Sequence, residues 1–121
     1  MSSNFASREV DWEKFDIVYV GAQKNIGPAG LTIVILKKDV LSLEPRKDIV
    51  ATSNYSLFSK AANMFQNTPS CWAIYMAGLN IKYMLEQGGL PKMKELAIKR
   101  SDMLYEYIDG SEGFYKNVVE K

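Results

Sequence analysis

The sequence predicts an α/β protein, because two short apolar runs are followed by two long segments with helical periodicity. The runs, Ile17–Val20 and Leu31–Leu36, are rich in β-branched residues, which is typical of strands buried on both faces. The later segments begin at Pro69 and Pro91 and repeat apolar residues every three or four positions. We therefore expect a small sheet early in the chain and two helices after it.

The segment before the first strand gives little structural signal. Residues 1–7 are mostly small and polar and give no core signal of their own. Val10–Phe15 contains two aromatic residues among charged ones, which predicts a short connector packed by its rings. Regular structure is expected to begin at Ile17.

The ten residues 21–30 connect the two strands and hold the most informative pattern in the sequence. Glycines at 21, 27 and 30 permit tight turns and a close approach of a ligand to the backbone. A parallel crossover needs about a dozen residues or more, so we expect antiparallel strands. Lys24 then projects from a tight turn at the edge of the sheet.

Two interpretations of Lys24 are open at this point. Most lysines in turns are simply solvated. An amine held near buried strands can instead lose its proton, because desolvation disfavours the charged form, and an uncharged amine attacks aldehydes to form a Schiff base. A P-loop is excluded, since the sequence contains neither Gly-Lys-Ser/Thr nor Gly-x-Gly-x-x-Gly.

The stretch after the second strand is predicted to be mostly irregular. Val40–Leu43 can form one helical turn with Asp39 as its N-cap. Glu44–Lys60 has no hydrophobic period and contains a proline and several serines, which indicates a loop. So long a loop is uncommon unless it binds something or lies against a partner, which favours an interface.

The first long helix is predicted to have Thr68 as N-cap and Pro69 in its first position, and to end at Gly88-Gly89. Its apolar stripe is expected to face the core and consists of Trp72, Tyr75, Met76, Leu79, Tyr83 and Leu85. The polar start of this helix suits an anion, because free amide groups and the helix dipole attract negative charge. Plain capping by Thr68 explains the same pattern.

The second long helix is predicted to run from Pro91 to Asp109-Gly110. Its apolar face consists of Met93, Leu96, Ala97, Leu104, Tyr107 and Ile108. The basic residues on the other face are offset by acidic ones, which is typical of a solvated surface rather than a nucleic-acid site. Residues 114–119 can begin another strand.

Composition excludes several kinds of partner and site. The 121 residues are 47% apolar and carry a net charge of +1, which predicts neither a nucleic-acid nor a membrane partner. The absence of histidine excludes serine–histidine nucleophiles and histidine-ligated zinc, and we expect no metal site. A single cysteine cannot form an internal disulfide, which agrees with a reducing cytoplasm. No apolar run approaches the roughly 20 residues of a membrane span, and we expect no signal peptide.

Four segments resemble one enzyme family. Gly21–Thr32 resembles the cofactor-lysine segment of the phosphoserine aminotransferases, which depend on pyridoxal 5′-phosphate (PLP) and have the aspartate-aminotransferase-like fold. Met1–Arg8, Phe65–Pro69 and Ser111–Tyr115 resemble other segments of the same family. The resemblance runs essentially end to end, but members of the family are several times longer. It therefore implies a central piece of such an enzyme.

The resemblance implies a division of the chain into two parts. Residues 1–88 correspond to the C-terminal part of the PLP-binding large domain, a mixed sheet flanked by helices. Residues 89–121 correspond to the start of the C-terminal small domain. We expect a cytoplasmic location for the protein.

The resemblance also implies site residues and a reaction. Lys24 is the Schiff-base lysine and carries a proton during transamination, while Gln23 contacts the cofactor phosphate. Asn67 and Thr68 reach the phosphate of PLP in a neighbouring subunit, which implies a homodimer with shared sites. The family converts L-glutamate and 3-phosphohydroxypyruvate into 2-oxoglutarate and O-phospho-L-serine in serine biosynthesis.

The sequence departs from the family pattern at two places. In the family, an aspartate that pairs with the pyridine nitrogen precedes the segment that Met1–Ser3 resembles, and Ser70 and Cys71 replace a proline and a threonine that commonly follow Pro69. The substrate-binding arginines and histidine of the family fall outside this sequence. The alternative to an enzyme segment is therefore a truncated, inactive fragment that serves only as an assembly or interaction module.

Overall fold

The computed structural model describes residues 1–61, 64, 65 and 67–119. Its regular elements are a 3-10 turn at Trp12–Lys14, strands β1 (Ile17–Gly21) and β2 (Thr32–Leu36), helix α1 (Lys38–Leu41), a 3-10 turn at Ala51–Ser53, and helices α2 (Tyr55–Lys60), α3 (Cys71–Glu86) and α4 (Gly89–Asp109). The order of two strands followed by two long helices is the one that the sequence predicts.

Strands β1 and β2 form an antiparallel hairpin, as the length of their connection predicts. Their register pairs Ile17 with Leu36 and Gly21 with Thr32. The expectation that both faces are buried is wrong for this chain: Val18 and Val20 are buried, whereas Tyr19 is 67% exposed. Successive side chains of a strand point to opposite faces, and the described residues cover only one of them.

The first residue of the chain lies beside the other edge of β1. The Met1 nitrogen donates a hydrogen bond to the Tyr19 carbonyl at 2.7 Å, and the Gly21 amide donates to the Met1 carbonyl at 3.0 Å. Bonds to residues on either side of Val20 are the pattern of a parallel pair. Phe5 and Ala6 then pack against the core, a contribution that the sequence of residues 1–7 did not signal.

The region between β2 and the long helices is more helical than predicted. Helix α1 starts at Lys38 rather than at Val40, and Asp39 lies in its first turn instead of capping it. Part of the predicted loop forms α2, because the Asn54 side chain accepts a hydrogen bond from the Ser56 amide at 3.1 Å and thereby caps the helix. Six residues are too few to show a helical period in the sequence.

Helix α3 differs from its prediction at its start and in its orientation. The Ser70 carbonyl accepts the first helical bond, from Ile74, so the helix begins at Cys71 and Thr68 is not its N-cap. The stripe expected in the core is exposed, and Ala73 and Ala77 are the buried positions instead. Small side chains allow another segment of backbone to lie directly on this face.

Helix α4 ends at Asp109 as predicted and starts two residues before Pro91. Its predicted apolar face is half-buried near Met93 and Leu96 but exposed at Leu104 and Tyr107. Residues 114–119 form no strand. Among the helices of the described part of the chain, none combines the length and apolar character needed to cross a membrane.

The core lies where the connection between the strands meets α3. Its centre consists of Ala22 and Ile26 from the connection and Ala77 from the helix, and Leu31 and Ile33 pack around them. The turn that carries Lys24 is therefore part of the core.

Candidate functional site

The turn between β1 and β2 is closed on both sides of Lys24. The Gly27 amide donates a hydrogen bond to the Ala22 carbonyl at 2.8 Å, and the Ala22 amide donates to the Leu31 carbonyl at 3.0 Å. The side chains of Ala22 and Ile26 are fully buried. The turn is therefore anchored two residues before and two residues after the lysine.

Glycine at position 27 lets the turn lie directly on α3. A Cβ built on Gly27 would lie 3.4 Å from Ala77 Cα, which is already van der Waals contact. Ala77 in turn presents only a methyl group. The backbone of the turn and the backbone of the helix therefore approach each other with no large side chain between them.

Two asparagines complete the attachment of the turn. The Asn80 Nδ2 on α3 donates hydrogen bonds to the carbonyls of Asn25 at 2.8 Å and Ile26 at 2.9 Å. The Asn25 Nδ2 donates to the Phe5 carbonyl at 2.8 Å, which ties the turn to the first residues of the chain. The sequence interpretation missed both residues. Asn80 lies three positions after Ala77 and so shares a face of α3 with Ala73 and Ala77. A single amide side chain on a face of small residues was the signal in the sequence that could have identified it.

Lys24 is exposed, and within the described residues its amine has no hydrogen-bond or ion-pair partner. We predicted that nearby buried strands remove water from the Lys24 amine. The described part of this chain does not do so. The main chain around Lys24 is fixed while its side chain is free. This arrangement suits a group that must reach a ligand outside the chain.

Gln23 lies beside Lys24 and is also exposed. Its side-chain amide folds over Gly21, where any added Cβ would clash with the Gln23 Oε1. Glycine at position 21 therefore leaves room for this amide above the backbone. The structure brings Gln23 and Lys24 together on one turn at the carboxyl end of β1.

Asn67 and Thr68 are exposed and precede α3 by a few residues. Thr68 does not cap the helix, so the capping interpretation of its hydroxyl is wrong. Ser70 occupies the N-cap position without a side-chain hydrogen bond to the helix. Within the described residues, no hydrogen bond connects Asn67 or Thr68 to Lys24.

Other features of the described residues do not suit a charged ligand at this turn. A cavity of about 270 Å³ beside Ile26 is lined by apolar side chains, among them Phe5, Met84 and Leu90. The hydrogen bond from Arg46 lowers the pKa of Asp48, but the loop that holds this pair is exposed and has no bond to the turn. The described residues contain no cluster of three potential metal ligands.

Comparison with known proteins gives consistent matches over the whole chain. The family model "Aminotransferase class-V" matches residues 1–121. A phosphoserine aminotransferase of Histophilus somni is 45% identical over 119 residues, which cover 98% of this chain and 32% of that protein. This chain therefore spans about a third of the length of the curated relatives it matches.

Solved structures give the same result. A phosphoserine aminotransferase from Bacillus circulans subsp. alkalophilus matches with a TM-score of 0.90 and 38% identity, over 99% of this chain and 33% of that one. A PLP-bound phosphoserine aminotransferase from Trichomonas vaginalis matches with a TM-score of 0.84 and 39% identity, over 92% of this chain and 31% of that one. These matches confirm the predicted α/β, aspartate-aminotransferase-like fold and the resemblance to phosphoserine aminotransferases. Since the family model covers every residue, the chain belongs to the class-V aminotransferases.

Proposed function

We propose that this chain is a segment of a phosphoserine aminotransferase and that Lys24 is the residue that binds PLP covalently. The observation that carries the proposal is the placement of Lys24. Its amine is exposed and unpartnered among the described residues, on a turn that is anchored on both sides at the carboxyl end of β1.

The residues of the turn fit this cofactor. PLP needs an amine for its aldehyde and hydrogen-bond donors for its phosphate, and Lys24 and Gln23 offer one of each on adjacent positions. When bound, the cofactor supplies an electron-withdrawing ring that makes the substrate Cα–H acidic. The Lys24 amine can accept that proton and return it, which this sequence must achieve without histidine.

The reaction follows from the family. We assign the whole enzyme the exchange of L-glutamate and 3-phosphohydroxypyruvate for 2-oxoglutarate and O-phospho-L-serine, in the serine biosynthesis of the cytoplasm. The large domain ends at residue 88 in this proposal, and the small domain begins at residue 89. The positive φ angles of Gly88 (111°) and Gly89 (67°) support a joint at this point.

Asn67 and Thr68 are assigned to the phosphate of PLP bound in a second subunit. Their side chains are exposed and, within the described residues, have no bond to Lys24, which supports a role towards a neighbouring subunit. The first amides of α3, which no side chain caps, add donors for an anion. The active unit is therefore a homodimer with shared sites.

The second candidate is an assembly module without activity. The exposure of Trp72, Tyr75 and Tyr83 on α3 favours it, because large exposed apolar patches usually mark interaction surfaces. Such a module requires these aromatic residues and does not require Lys24. The two candidates therefore differ in their dependence on a single amine.

Reductive trapping separates the two candidates. The chain is incubated with PLP, reduced with borohydride and analysed by mass spectrometry as wild type, Lys24→Ala and Lys99→Ala. We expect one pyridoxyl group per chain at position 24, its loss in Lys24→Ala and its retention in Lys99→Ala, since Lys99 lies exposed on α4. Equal, scattered labelling of many lysines in all three proteins would contradict the enzyme proposal and favour the module.

A further inference from the structure

Asn80 donates two hydrogen bonds, and both go to the turn that carries Lys24. Its Nδ2 carries two hydrogens, and they are donated to consecutive carbonyls, those of Asn25 and Ile26. These are the two residues that directly follow Lys24. Asn80 is half-buried and lies on the same face of α3 as Ala73 and Ala77.

These bonds restrain the main chain directly after Lys24. The side of the turn before Lys24 is held by the backbone bonds of Ala22. Among the described residues, the side after it has one backbone bond, from Gly27, and Asn80 supplies the attachment of positions 25 and 26 to the helix. With both sides held, the side-chain torsions of Lys24 are the main freedom that its amine retains.

The same bonds connect the turn to the start of α3. Asn80 lies nine residues after Cys71, which is about 13 Å along the helix at about 1.5 Å per residue. Asn67 and Thr68 lie just before Cys71. The helix therefore joins the two groups of residues that the proposed function assigns to PLP in adjacent subunits.

We infer that Asn80 is a positioning residue, which fixes the turn on α3 so that the Lys24 amine meets the cofactor aldehyde from one direction. The inference rests on the proposed function, because it concerns the rate at which Lys24 reacts with PLP. Gln23, which is assigned to the phosphate, has no bond to Asn80. Loss of the Asn80 amide should therefore slow the reaction at saturating PLP more than it changes the PLP concentration needed for saturation.

The test uses two variants with different side effects and one control. Asn80→Asp keeps the shape but loses the donor and adds a negative charge, while Asn80→Ser loses the amide without adding charge or bulk. Lys82→Gln changes the net charge by the same amount as Asn80→Asp, at a side chain on α3 that is 73% exposed.

Each protein is labelled with PLP and borohydride over a range of PLP concentrations, and labelling of Lys24 is compared with that of Lys99 in the same molecule. Hydrogen exchange of segment 22–31 is measured without PLP.

The inference predicts the same result in both Asn80 variants. Segment 22–31 should exchange about tenfold faster, and the maximal rate at Lys24 relative to Lys99 should fall about tenfold, as expected for two lost hydrogen bonds. The half-saturating PLP concentration should change less than about twofold, and Lys82→Gln should behave as wild type.

Three outcomes would overturn the inference. Unchanged exchange and labelling in both variants would show that the two hydrogen bonds of Asn80 are not needed. An effect in Asn80→Asp alone would assign the change to the added charge. Wild-type labelling without preference for Lys24 would overturn the proposed function and this inference together. The first two outcomes, with selective labelling in the wild type, would overturn the inference alone.

Discussion

The two faces of α3 differ in a way that residue size does not predict. The inner face consists of Ala73 and Ala77, which are 0% and 4% exposed, and Ala77 packs on the lysine turn. The outer face presents Trp72 and Tyr75, each 64% exposed. The chain thus builds its own core from close backbone approach, and its largest apolar side chains face outward, as they do at interaction surfaces. The inner face sets the position of Lys24, and the outer face is available for association.

The largest effect is expected from filling the inner face. Ala77→Leu adds three carbons at a position that is 4% exposed, where a Cβ built on Gly27 would already lie 3.8 Å from the Ala77 Cβ, so the turn must move away. We expect the free energy of unfolding to fall by about 1–3 kcal/mol, measured by urea denaturation followed by circular dichroism. Labelling of Lys24 by PLP and borohydride should fall with it.

The neighbouring position provides the matched control. A Cβ on Gly78 would meet no atom within 4 Å, so Gly78→Ala gains helix propensity without a clash. This variant should raise the free energy of unfolding by about 0.5–1 kcal/mol. If Ala77→Leu proved as stable as Gly78→Ala, the close contact between turn and helix would be refuted.

The sequence predicted the hairpin well and the helix faces poorly. Ten residues between two β-branched runs determine an antiparallel pair, and Lys24 lies on the turn where the glycines indicated it. The periodicity of α3 revealed two faces but not which one is inside, because the burial of Trp72 or Ala77 depends on what packs there. Ala77 is the buried residue, because the turn around Gly27 packs on this side of the helix.

The missed features have a common physical cause. The bonds of Asn80 span 54 and 55 positions of sequence, so no local pattern contains both partners. Helix α2 is too short for a period, and its only signal was the capping asparagine at position 54. The contribution of Phe5 to the core depends likewise on a distant partner, Asn25, which holds its carbonyl.

A smaller effect on stability, but a clear effect on association, is expected from the outer face. Replacing Trp72 and Tyr75 by serine removes exposed surface, so the free energy of unfolding of the isolated chain should change by less than about 0.5 kcal/mol. The dissociation constant for self-association should rise at least about tenfold, because buried aromatic residues dominate interfaces. Sedimentation velocity over a range of concentrations measures this change. Unaltered self-association combined with a large loss of stability would mean that the aromatic face belongs to the core of the monomer.

The smallest effect is expected from a polar contact on α4 that belongs to neither face of α3. The Lys92 Nζ lies 2.6 Å from the Glu95 Oε1, with the two side chains 42% and 62% exposed. Exposed pairs three residues apart on a helix contribute only about 0.2–0.5 kcal/mol, because water solvates both charges and ordering the side chains costs entropy. Glu95→Gln should therefore lower the free energy of unfolding by no more than about 0.5 kcal/mol in dilute buffer. The difference from wild type should disappear in about 1 M salt, where charges are screened within about 3 Å. A salt-independent loss as large as that of Ala77→Leu would show that this short contact, rather than the junction between turn and helix, limits the stability of the chain.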